Sequence, residues 1–246
     1  MTDRPSSACS TLDDAALLTP GLVHEMRQPI MGIRAAMHLL ARALGKPLTE
    51  LDDWQLIVSE LTRLEEVLDT FRTLMHAAPL ETFPFEATPV VLRAANLLCF
   101  RTRALGPRFA VVVPDDRPVV LGAPSALLHA LTNLLANALD AVDGTGDHGR
   151  VEVRLVQSPD APGRLQLRVA DSGCGVPSAL RERIFEPLFT TKRPGKGTGL
   201  GLYTALRMVR ACGGALQLLG NDAPLRQPWA ATEFSIELPL APREAT

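Results

Sequence analysis

Seven apolar residues, Trp54, Ile57, Leu61, Leu64, Leu68, Phe71 and Met75, follow one another at alternating steps of three and four. This heptad spacing constrains the chain more than any other feature, because it draws one straight apolar seam along a helix, and such a seam needs a facing helix. An earlier stripe supplies one. Leu22, Met26, Ile30, Ile33, Met37, Leu40 and Leu44 also recur at steps of three or four, behind Thr19 and Pro20, which suit an N-cap and a first helical position. Gly45-Lys46-Pro47 ends this helix, and Thr49 with Asp52 opens the next. Two long helices joined by a short turn form an antiparallel hairpin that leaves much of both stripes in water. The stripes establish only that a face is covered; a second copy is the expected cover, giving a dimeric four-helix bundle. This domain is expected over residues 11–80, opened by Thr11 and Asp14 as a capping box, behind a flexible tail at residues 1–10.

The helical periodicity stops near Pro79, and ETFPFEATP reads as a linker or a first edge strand. A second domain is expected over residues 84–241. Its pattern predicts helices over about 89–105, 125–142 and 202–212, with strands at 109–113, 119–121, 151–157, 164–170, 215–219 and 232–238. Helices on one face of a largely antiparallel sheet make the fold class α+β. The formal net charge of −2 gives no basic face for nucleic acid or an anionic membrane. No apolar run is long enough to span a bilayer, and the polar start MTDRPSSACSTLDD is no signal peptide, so the expected location is the cytoplasm. Cys9, Cys99, Cys174 and Cys212 are scattered without metal-ligand spacing and read as free thiols.

Four short segments carry chemistry. HEMRQPI places His24 beside Glu25 on the first helix, so the carboxylate can hold one ring nitrogen and leave the other as a nucleophile. Pro29 cannot donate to the carbonyl of Glu25, which predicts a bend just after the histidine. In LTNLLANALDAV, Asn133, Asn137 and Asp140 share one helical face while Leu127, Leu131, Leu134, Leu135, Ala138 and Val142 form the apolar one. Asparagine is a middling helix former, so this face suits an amide oxygen on Mg²⁺ and amide donors to phosphate, or is an incidental polar face. In VADSGCGVP, Asp171 ends a strand ahead of Gly173 and Gly175. A carboxylate there accepts from an amine such as adenine N6, and glycines let backbone approach a flat base. FEPLFTTKRPGKGTGLGL runs glycines at 195, 197, 199 and 201 into a helix, with Lys192 as a mobile cation, an arrangement able to hold phosphate. It is neither a Walker A loop nor a Rossmann fingerprint.

Together HEMRQPI, NLLANALDAV, DSGCGVP, FEPLFTTK and GKGTGLGL resemble the H, N, G1, F and G2 boxes of sensor histidine kinases, in that family's order and over about residues 20–240. The resemblance implies a dimerising helical hairpin bearing the phosphoacceptor, then an ATP-binding α/β sandwich of the Bergerat (GHKL) type shared with gyrase, Hsp90 and MutL. It implies His24 as phosphoacceptor, Glu25 as its general base and Asn137 as the Mg²⁺ ligand. Asn133 and Lys192 would contact phosphates and Asp171 adenine, while Gly197, Thr198, Gly199 and Gly201 shape a lid anchored by Phe185 and Phe189. Asp140, Gly173, Gly175 and Leu200 complete the implied cofactor-binding set. The implied activity is autophosphorylation from Mg-ATP, then transfer to an aspartate of a response regulator; the input is expected either from a separate sensory protein or from a longer design of which this chain is part. The H box is nearest to the HELNQPL-like subgroup. Many members carry Thr or Asn four residues after the histidine, where this chain has Gln28, and Arg27 replaces the subgroup's Asn; both put phosphatase activity in doubt. A degenerate, non-catalytic scaffold and a Bergerat-type serine kinase or ATPase are the rival readings. Intact His24, Asn137 and Asp171 oppose the first and the helical hairpin the second.

Overall fold

The computed structural model describes residues 20–45, 48, 51, 53–54, 56–58, 60–61, 64, 68, 80–143, 145–158, 161–192 and 197–242. The chain divides into two units: Met1–Ala78 with Thr190–Leu200, and Pro79–Phe189 with Gly201–Thr246.

In the first unit, α1 runs from Pro20 to Leu44 and continues through Pro29, with one backbone donor fewer at that point. Gly45 stops it at φ 67, a left-handed conformation glycine adopts without strain, and donates its N–H to Ala41 O at 3.0 Å. The described residues between Asp53 and Leu68 are helical. Ile30, Met37, Leu61 and Leu68 are buried together with Trp54 packed on them, so both stripes supply one small core. The remaining described stripe members, Ile33, Leu40, Leu44, Ile57 and Leu64, are 48 to 58% exposed. Thr11, Asp14, Thr19, Lys46, Pro47, Thr49, Asp52, Phe71 and Met75 lie outside the described residues. Among the described residues no helix is long and apolar enough to cross a membrane.

The second unit is an α/β sandwich. After β1 (Phe83–Glu86) come α2 (Ala87–Leu97), α3 (Cys99–Leu105), β2 (Phe109–Val112), β3 (Val119–Gly122) and α4 (Pro124–Val142). Then follow β4 (Val151–Gln157), β5 (Arg164–Asp171), α5 (Gly201–Ala211), β6 (Ala215–Leu218) and β7 (Thr232–Pro239). Five strands form one sheet in the order β2-β4-β5-β7-β6, with β2 parallel to β4 and the other pairs antiparallel. β1 pairs antiparallel with β3 in a separate two-stranded sheet, so within ETFPFEATP the residues FPFE form an edge strand and the closing ATP opens α2.

Strand alternation sorts the side chains. Val151, Val153 and Leu155 of β4, Leu165, Leu167 and Val169 of β5, and Phe234, Ile236 and Leu238 of β7 join the core, where α4 buries Leu127, Leu131, Leu134, Leu135 and Ala138. Each fully buried leucine contributes roughly 1.5–3 kcal/mol through removal from water. The opposite, polar row is covered too. The β6–β7 connection lies over it: Arg168 Nη1 donates to Pro224 O at 2.7 Å, Arg154 Nη2 to Leu225 O at 3.1 Å, and Gln227 N–H to Glu233 Oε2 at 2.8 Å.

Two expectations need correction. The single helix expected over 89–105 is two helices, broken at Leu98 (φ −106, ψ 21), whose N–H bonds Ala95 O at 3.2 Å instead of reaching four residues back. No Gly or Pro marks that break. The two strands at 109–113 and 119–121, read as members of one sheet, belong to different sheets.

Candidate functional site

The amphipathic α4 is the floor of the candidate site. Its apolar rows are fixed against the sheet, so Asn133, Asn137 and Asp140 stand on the other face, and all three are half-buried. Asp140 Oδ1 lies 2.7 Å from Arg101 Nη2 of α3.

β5 carries Asp171 to the C-terminal end of this helix. The residue is paired with Val151 of β4 on one side and Thr232 of β7 on the other. Its carboxylate accepts the Gly173 N–H at Oδ1 (2.9 Å) and a hydrogen bond from the Thr232 side chain. Its carbonyl accepts the N–H of Ala231 at 2.8 Å. Burial raises the Asp171 carboxyl from 3.8 to about 6, opposed by the Gly173 and Thr232 hydrogen bonds. An acceptor so placed is desolvated and held in one orientation, which suits selective recognition of a donor.

Glycine is required where the loop after Asp171 meets α4. A Cβ on Gly173 would stand 2.5 Å from Ala141 O and 2.6 Å from Ala141 Cβ, so any side chain would push the loop off the helix. Gly175 has φ 73, a value that L side chains rarely adopt. At the other end of the face, Gly201 opens α5 beside Asn133: a Cβ there would come within 3.1 Å of Asn133 Oδ1. The N–H groups of the first turn of a helix have no intrahelical acceptor and favour an anion. The buried Asp171 carboxylate and the first turn of α5 therefore lie at opposite ends of one polar face.

Phe185 packs edge-on against Phe234 at 6.2 Å, and Phe189 lies under the Arg183 guanidinium at 4.6 Å, both within the second unit. In the first unit, Lys192 N–H donates to Thr190 Oγ1 at 3.1 Å, and a Cβ on Gly197 would stand 3.0 Å from Lys192 Cδ. Thr198 is half-buried, Gly199 has φ 69 and Leu200 is buried. His24 and Glu25 lie on the backbone of α1; their side chains are outside the described residues. Among the described residues no cluster of three His, Cys, Asp or Glu side chains can hold a metal ion.

Sequence reading missed two residues. Thr232 reads only as the start of a strand, and its bond to Asp171 depends on strand pairing that no local pattern reveals. Arg101 reads as an ordinary helical arginine, and its pair with Asp140 joins residues distant in the chain.

This sandwich defines a class of ATP-binding domain: residues 122–242 match the family described as histidine kinase-, DNA gyrase B- and HSP90-like ATPase. The chain is similar to the two-component sensor PprA of Pseudomonas aeruginosa, 32% identical over 240 residues, covering 93% of this chain and 25% of PprA. Among solved structures it is similar to the mycobacterial sensor histidine kinase MprB, with 33% identity and a TM-score of 0.53, covering 66% of this chain and 99% of that one. Full-length ShkA in complex with AMPPNP gives 27% identity and a TM-score of 0.67, covering 92% of this chain and 46% of that one. The chain belongs to the sensor histidine kinase family, and it spans about a quarter of the length of PprA.

Proposed function

We propose that the protein is an ATP-dependent protein-histidine kinase that phosphorylates its own His24 and passes the phosphoryl group to an aspartate of a response-regulator receiver domain. The observation that carries this reading is the polar face of α4, with buried Asp171 at one end and the N-terminus of α5 beside Asn133 at the other. Asp171 would accept the exocyclic amine of adenine, with Gly173 and Gly175 letting the backbone approach the base. Asn133, Lys192 and the first N–H groups of α5 would hold phosphates, while Gly197, Thr198, Gly199 and Leu200 cover them. Asn137 would offer its amide oxygen to Mg²⁺. Among the described residues no carboxylate cluster is at hand, so phosphate oxygens and water would complete the shell, as is usual for this ion. When bound, Mg²⁺ supplies charge neutralisation on the transferring group.

In the chemical step Glu25 would accept a hydrogen bond from one ring N–H of His24, and the other, unprotonated nitrogen would attack the γ-phosphorus. The N–P bond forms as the bond to the β–γ bridging oxygen breaks and ADP leaves. On transfer, a receiver aspartate takes the phosphoryl group and His24 returns to neutral imidazole. Positioning and fixed N–H donors would supply most of the rate enhancement.

The first unit would supply the dimer. Ile33, Leu40, Leu44, Ile57 and Leu64 repeat the stripe yet stay exposed in one copy, and a second copy would cover them as a four-helix bundle. Residues 11–80 would then be the dimerisation and phosphotransfer domain and 84–241 the catalytic domain.

Incubation with γ-labelled ATP and Mg²⁺ tests the reading. The label should be acid-labile and alkali-stable, and His24→Ala should remove it while leaving ATP binding intact. Label persisting at wild-type level in that variant would overturn the assignment.

A further inference from the structure

Resting on that nucleotide reading, we infer that Arg101 of α3, held by Asp140, is a nucleotide-binding residue that contacts the phosphate nearest the ribose. Three observations lead there. The first is placement. Arg101 lies in α3, partly open to solvent, with its guanidinium brought to the polar face of α4 by its pair with Asp140. The break at Leu98 resets the helix, and α3 is tied down by the N–H groups of Arg101 and Thr102, both on Leu98 O at 3.0 Å, and by buried Thr102.

The second is the partner. Arg101 Nη2 meets Asp140 Oδ1 at 2.7 Å, with the two side chains 37% and 35% exposed. A pair this open adds little to stability, so holding the fold together is a weak reason for it. Asp140 follows Asn137 by three residues on the face assigned to the nucleotide, where a carboxylate repels phosphate. Arg101 cancels that charge, and a guanidinium that grips a carboxylate through one nitrogen can grip a phosphate oxygen through another.

The third is the level along α4. Gly173 abuts Ala141, which puts the base end of the site beside Asp140, whereas α5 begins beside Asn133 two turns earlier, where the terminal phosphates would lie. Arg101 therefore reaches the phosphate next to the ribose and not the transferring one.

Calorimetric titration of the full chain with adenosine, ADP and ATP in Mg²⁺ tests this. Arg101→Ala should weaken ADP and ATP alike, by about tenfold or more, and leave adenosine unchanged; Arg101→Lys should fall between Arg101→Ala and wild type. Thermal melting of each variant reports on folding. Undiminished ADP affinity in Arg101→Ala overturns the inference while leaving the nucleotide reading intact. So does an equal loss for all three ligands, which marks the bridge as packing only. A wild-type chain that binds none of the three removes the nucleotide reading itself, and this inference with it.

Discussion

Asp171 and Thr232 face each other directly across β5 and β7, and the Thr232 side chain hydrogen-bonds the buried Asp171 carboxyl. Burial of that carboxyl, which the Thr232 hydrogen bond only partly offsets, sets a pH dependence. Burial raises the carboxyl to about 6, so the folded chain takes up a proton more readily than the unfolded chain, whose aspartate titrates near 3.8. Folded stability from this group is fully present below pH 3.8 and is lost as pH rises through about 6. Nucleotide recognition runs the other way, because the protonated carboxyl is a poorer acceptor. Adenosine affinity should therefore fall as pH drops from 7.5 to 5, with its midpoint near 6, and Asp171→Asn should flatten the curve. Titration calorimetry across that range is the check; a wild-type curve already flat would refute the role given to this carboxylate.

Gly173→Ala should be far more damaging than its size suggests. Its methyl would meet the backbone carbonyl of Ala141 at 2.5 Å, and backbone cannot rotate away as a side-chain tip can. The loop must lift from α4, carrying with it the N–H that orients Asp171. The expected result is a loss of at least tenfold in ATP affinity, since a charge-assisted hydrogen bond and its geometry go together. Gly163→Ala is the contrast. There the strain of φ 84 is met with nothing within 4 Å, so stability should drop while affinity stays. Equal effects on affinity in the two variants would refute the close-approach argument.

Much of this was legible because it is periodic or punctuated. The stripe on α4 gave both its buried row and, by subtraction, the face with Asn133, Asn137 and Asp140. Gly45 and Pro20 bound α1 through backbone rules that operate locally. What sequence did not reveal depends on contacts distant in the chain. Glu152, Gln166, Arg168, Glu233 and Ser235 alternate with apolar residues, and nothing local shows that all five are buried, because the β6–β7 connection that covers them is distant in the chain. Leu98 looks like any other helix residue, and Thr232 matters only once β7 is set beside β5.

The covered row yields a stability prediction. Glu233 is fully buried and Arg168 nearly so; the carboxylate lies 3.4 Å from Arg168 Nη1 and 3.5 Å from Arg154 Nη2, and takes the Gln227 N–H. Glu233→Ala would take that carboxylate from the buried Arg168 guanidinium, leave Arg154 with Glu152 alone, and free one end of the connection. A loss of about 3–5 kcal/mol is expected for breaking such a pair from one side. Denaturant unfolding provides the measurement, and a loss under 1 kcal/mol would show that the connection does not depend on this cluster.

Asn137 and Asp171 flank the same site from different directions, so their losses should differ in kind. Asn137 stands one helical turn before Ala141, the residue against which Gly173 closes, and in the proposed site would face the region between base and terminal phosphates. Its amide oxygen is the hard neutral donor that Mg²⁺ accepts beside phosphate oxygens. Asn137→Ala should therefore reduce ATP affinity measured with Mg²⁺ toward the value measured in EDTA, while preserving the preference for ATP over GTP. Asp171→Ala should do the reverse. It would remove the proposed acceptor for the adenine amine, so the preference for ATP over GTP should collapse, while the Mg²⁺ enhancement and the affinity for inorganic tripolyphosphate should remain. Parallel titrations of wild type and both variants with ATP, GTP and tripolyphosphate, each with and without Mg²⁺, separate the two patterns. If both substitutions reduced every ligand by the same factor, neither residue could be reading the part of the nucleotide assigned to it.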